Sequence, residues 1–131
     1  MLRRAVILAT FALVATTARA AEKTEKKKGG GESFIQLPTL TTSVLRPDRR
    51  LGVLTIEVGI DVPDAGLRKR AQESIPLLRD AFTREMLTYA PTLGPGQAPN
   101  PDIISIQLQR AVDRTLGRPG AKLLIGSILT N

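Results

Sequence analysis

The order of apolar and polar residues changes period part-way along the chain. In "RLGVLTIEVGIDV", Leu54, Ile56, Val58, Ile60 and Val62 alternate with Thr55, Glu57 and Asp61. A period of two sends successive side chains to opposite faces, so this segment predicts a half-buried β-strand. Upstream, "SFIQLPTLTTSVL" (Ser33–Leu45) is rich in β-branched residues and predicts an extended segment. Pro38 interrupts it. Proline has no N–H to give to a ladder, which suits an edge or a bulge. Between the two runs, "RPDRRLG" predicts a turn, with Pro47 fixing φ and Asp48 able to bond its own backbone. The pair predicts a hairpin.

After Pro63 the period lengthens. Asp64 is placed as an N-cap, and Leu67, Ala71, Ile75, Leu78, Phe82, Met86 and Tyr89 recur at steps of three and four. This stripe passes through Pro76 in phase, although a proline inside a helix costs about 3 kcal/mol. Pro76 therefore marks either a kink in one continuous helix or a junction at which Ser74 caps a second one. "PTLGPGQAPNP" (Pro91–Pro101) reads as a loop. In "PDIISIQLQRAVDRTLG" a second helical stripe runs through Ile104, Leu108, Ala111 or Val112, and Thr115, with Gly117 placed to end it. "AKLLIGSILTN" predicts a buried closing strand. The order β-β-α-α-β predicts an α+β domain, a small antiparallel sheet with two helices packed on one face.

The first 32 residues follow neither period. "MLRRAVILATFALVATTARA" has a basic start at Arg3 and Arg4, a short apolar run, and small residues at Ala18 and Ala20 that fit a signal-peptidase site before Ala21. The run of about 18 Å of helix is short of the roughly 30 Å hydrocarbon core. Residues 1–20 predict a cleaved signal peptide and a periplasmic protein; the alternative is an uncleaved segment anchoring the chain to the inner membrane. The adjacent arginines also hint at twin-arginine export. Residues 21–32 read as a flexible Lys/Gly-rich tether, in which Lys23, Lys26, Lys27 and Lys28 could meet an anionic membrane surface. Residues 33–131 form the folded domain.

Composition removes several chemistries. The 131-residue chain has no cysteine, histidine or tryptophan, which excludes thiol chemistry, disulfides, Cys/His zinc sites and His-dependent triads. Its net charge of +7 falls to +4 once Arg3, Arg4 and Arg19 leave with the signal. A basic face interleaved with stacking aromatics, the mark of nucleic-acid binding, is not visible. Glu57 and Asp61 share a strand face, as acidic residues on solvated faces commonly do. The "GPG" at Gly94 lacks the strand and lysine of a phosphate loop. No catalytic, cofactor or metal residues are expected.

The layout resembles the periplasmic domain of the flagellar basal-body-associated FliL family. The likeness rests on "IQLPTLTTSVLRPDRRLGVLTIEVGIDV", the helix "PLLRDAFTREML" with Pro76, Leu78, Arg79, Asp80 and Ala81, then "IISIQLQRAVDRTLG" and a closing strand, about Phe34 to Thr130. The resemblance implies a stomatin/SPFH-like fold and a non-enzymatic role beside the flagellar stator units in support of motility, with self-association into rings. Against it stands a generic exported envelope domain, unrelated to flagella, that binds another protein or the membrane surface.

Overall fold

Pro38 divides the first extended segment in two. The computed structural model describes residues 31–131, and in it Phe34–Gln36 (β1) and Leu40–Leu45 (β2) lie on either side of Pro38. Both run antiparallel to the long strand Leu51–Asp61 (β3). Gln36 faces Gly59 and Leu40 faces Ile56, so the edge carries one more residue than β3 over this stretch. That surplus is a bulge, placed where proline has no N–H to offer. The last strand, Lys122–Thr130 (β4), also pairs antiparallel with β3. Residues 59–61 pair with both β1 and β4, and residues 54–56 with both β2 and β4. A strand has only two edges, so β1 and β2 share one and β4 takes the other. Val58 faces Ile125 and Glu57 faces Ser127, which leaves Gly126 as a second bulge.

The helical stripe divides at Ser74 into Ala65–Glu73 (α1) and Ile75–Tyr89 (α2). Asp64 caps α1, its carboxylate accepting the Leu67 N–H at 2.8 Å. Of the two readings of Pro76, the junction is the one observed: it lies in the first turn of α2, where no intrahelical partner waits for an N–H. The cap itself differs from expectation. The Ser74 side chain makes no capping bond; its backbone carries the junction, its N–H donating to Ala71 at 3.0 Å and its carbonyl accepting from Leu78 at 2.9 Å. Pro76→Ala should therefore change stability by less than about 1 kcal/mol, against the roughly 3 kcal/mol of an interior proline. Thermal denaturation followed by circular dichroism checks this.

A short 3₁₀ turn at Ala90–Thr92 and a loop lead to the third helix, Pro101–Leu116 (α3). Asn100 caps it through Oδ1, which accepts from Asp102 and Ile103, and Gly117 ends it in the left-handed region at φ 85°. The stripe of α3 closes on Leu116 rather than Thr115: Leu116 is buried and Thr115 is half-exposed. A step of four from Val112 keeps closer to the 3.6-residue turn than the run to Thr115.

One continuous core joins the even-numbered face of β3 to Leu67, Ala71, Leu78, Phe82, Met86 and Tyr89 of the first two helices and to Ile104, Leu108 and Val112 of α3. The structure is an α+β domain with its helices on one face of a small antiparallel sheet. The closing strand is not the buried strand the sequence predicts. Leu123 alone among β4 residues is buried, Ile125 and Ile128 pack partly on the core, and Leu124 and Leu129 lie on the open face, 37% and 62% exposed. Apolar content marked a strand; its position at an edge, with helices on one side only, leaves alternate residues in solvent.

No helix among the described residues is long and apolar enough to cross a membrane. The signal-peptide reading, with Ala18, Ala20 and Ala21, and the tether lysines Lys23, Lys26, Lys27 and Lys28 fall outside the described residues.

Candidate functional site

The helix segment that carries the family likeness separates into an inner and an outer part. Leu78 is fully buried and Ala81 packs partly on the core, so these two residues hold α2 to the sheet. Pro76, Arg79 and Asp80 are exposed. Asp80 pairs with Arg84 one turn on, at 3.0 Å and in open solvent, a contact worth a few tenths of a kcal/mol. Beside it runs a shallow groove of about 380 Å³ between α2 and α3, lined by Leu77, Asp80, Ala81, Arg84, Glu85 and Arg114 among others. Glu85 and Arg114, both in its lining, form an ion pair at 2.9 Å that ties the two helices together. Leu77 stands at its rim, 62% exposed.

A second hollow, of about 340 Å³, lies where three distant segments meet: the end of β2 with Arg46 and Pro47, the loop Gly96–Pro99, and the end of β4 with Thr130 and Asn131. The loop is fixed to the hairpin by the Gly96 N–H, which donates to the Leu45 carbonyl at 3.0 Å. It is fixed to the helices by the Tyr89 hydroxyl, which accepts the Asn100 N–H at 2.9 Å. The proline-rich loop is thus a strut rather than a free flap.

Glu57 and Asp61 lie on the uncovered face of β3, four residues and about 13 Å apart, too far to share a proton or a reacting atom. The Ser33 hydroxyl bonds Asp61. Phe34, beside it, lies over Gly59, where any Cβ would collide with the ring. Among the described residues no three His, Cys, Asp or Glu side chains gather and no charged side chain is buried; the buried polar atom left without a partner is Gln107 Oε1. The Asp64 carboxyl is held below the usual carboxylate range, first by the Leu67 N–H and then by Arg118, whose guanidinium lies 3.0 Å away. That is a capping role.

No family model matches the chain, and no curated protein matches its sequence.

Sequence pattern does not reveal Gln109, whose side chain clasps the start of β4 to α3, or the Glu85–Arg114 bridge. Both join residues whose pairing depends on how helices cross. One signal was available. Leu51 and Val53 fall on the odd-numbered phase of β3, where its other residues are polar or glycine, and both are exposed.

Proposed function

We propose that this chain is an exported, non-catalytic binding domain of the FliL type, which works in the bacterial envelope at the flagellar stator and supports motility. The observation that carries this reading is the groove between α2 and α3. It sets an exposed apolar side chain, Leu77, beside the charged Asp80, Arg84, Glu85 and Arg114, and lies on the helix segment whose sequence resembles that family. Exposed apolar side chains interleaved with charged ones are a feature of protein-binding surfaces. Self-association into rings belongs to the same proposal.

A clean deletion should reduce swimming in soft agar, and the tagged protein should retain stator components in a pull-down. Leu77→Glu should abolish that retention while leaving the fold intact, because Leu77 lies outside the core. Wild-type motility together with no stator component retained would overturn the flagellar assignment.

A further inference from the structure

The tip of the β2–β3 hairpin gathers charge and apolar surface that the fold does not use. Arg46, Arg49 and Arg50 fall within five consecutive residues that contain one acid, Asp48. Asp48 is occupied locally: its carboxylate accepts the Arg50 N–H at 3.0 Å and lies 4.0 Å from Arg46. Arg49 and Arg50 make no ion pair among the described residues. The turn is closed by the Arg49 N–H to the Arg46 carbonyl and the Arg46 N–H to the Arg50 carbonyl, both at 2.8 Å. Arg49 has φ 68°, a conformation in which glycine or asparagine is less costly than arginine.

Immediately behind the tip, the uncovered sheet face carries Leu45, Leu51, Val53 and Leu129, which are 39%, 71%, 45% and 62% exposed. The register brings them together. Leu45 faces Leu51, Val53 follows on the same side, and Leu129 faces Thr55 one row further on. The acids of this face, Glu57 and Asp61, begin about 20 Å further along β3 than Leu51.

We propose that this hairpin tip docks on an anionic lipid bilayer, with its guanidinium groups on phosphodiester headgroups and its leucines in the interface. The planar guanidinium fork matches phosphate oxygens, and a bilayer surface accepts apolar side chains next to cationic ones. A second copy of the chain fits less well. Four partly exposed aliphatic side chains fall well short of the roughly 800 Å² per partner that a standard interface buries. A two-fold pairing through the tips would also set arginines against arginines. This surface is separate from the α2–α3 groove, so the inference stands whether or not the flagellar reading does.

The chain contains no tryptophan, so Leu51→Trp in the full-length protein supplies a single tryptophan, at the tip, that can be excited selectively over Tyr89. With vesicles of equimolar phosphatidylglycerol and phosphatidylcholine its emission should shift to the blue and be quenched by brominated acyl chains. With phosphatidylcholine alone it should not move. Adding Arg49→Gln and Arg50→Gln should weaken the vesicle affinity read at position 51 by about fivefold per charge. Leu87→Trp, at an exposed position of α2, controls for delivery to vesicles by the N-terminal segment and should stay unshifted. Leu129→Trp serves as the tip probe if far-UV circular dichroism shows Leu51→Trp to be unfolded. An unshifted tip probe with anionic vesicles, or equal shifts at positions 51 and 87, overturns the proposal. A blue shift that grows with protein concentration without lipid assigns the face to a second copy and overturns it equally.

Discussion

Phe82→Ala should destabilise the domain by about 3–5 kcal/mol, a large part of the 5–15 kcal/mol that holds a typical domain folded. Phe82 is the largest fully buried side chain among the described residues, and it sits mid-way along α2 with Leu78 and Met86 one turn to either side. Truncation removes an aromatic ring from the core that α2 shares with β3 and α3, and neither neighbour can collapse far without leaving its own place in the stripe. In urea the midpoint should fall with an unchanged slope, because the same surface is exposed on unfolding. Phe82→Leu keeps most of the volume and should cost about 1–1.5 kcal/mol. Leu77→Ala, on the exposed side of the same helix, should stay within about 0.5 kcal/mol. A Phe82→Ala cost below about 1 kcal/mol would contradict the packing of α2 described above.

The parts of the fold legible in the sequence are those fixed by one element's own period. Strict alternation from Leu54 to Val62 identified the face of β3 that is buried, and the stripe from Leu67 to Tyr89 identified the helical surface laid on it. Asp64, Asn100 and Gly117 act through neighbours two to four residues away, so capping chemistry is local as well. Legibility fails where the outcome depends on what lies beside an element. β4 contains enough apolar residues to look buried, yet nothing in "KLLIGSILT" says that helices cover one of its faces only. Likewise the hollow near the hairpin needs residues 46, 96 and 131 to meet, and no spacing rule connects them. The exposed patch at the hairpin is an intermediate case. Leu51 and Val53 break the polar phase of β3 visibly, but Leu129 joins them only through the register of β4.

Gln109→Leu should cost about 2–4 kcal/mol, although it conserves volume and replaces a polar residue with an apolar one next to the core. The reason lies at the edge position of β4. One side of that strand is satisfied by β3, while the outward Leu123 N–H and the Ala121 carbonyl just before the strand have no further strand to meet. Gln109 supplies both partners: its Oε1 accepts the Leu123 N–H at 2.8 Å, and its Nε2 donates to the Ala121 carbonyl at 2.8 Å. The second Nε2 hydrogen goes to Asp113 at 3.1 Å, which fixes the amide in place. Ala121 and Leu123 are 2% and 5% exposed, so water cannot readily replace the lost bonds. Each orphaned backbone group then costs about 1–3 kcal/mol. Amide exchange should show the damage locally, with Leu123 losing protection before the centre of β3 does. Gln109→Glu separates the roles further. It keeps an acceptor for Leu123, removes the donors, and sets a second carboxylate beside Asp113. Like charge raises the folded-state pKa of such a pair, so this variant's deficit should shrink as pH falls and one acid takes up a proton. Gln109→Leu within about 0.5 kcal/mol of wild type, with Leu123 still protected, would show that α3 does not hold β4 through this side chain.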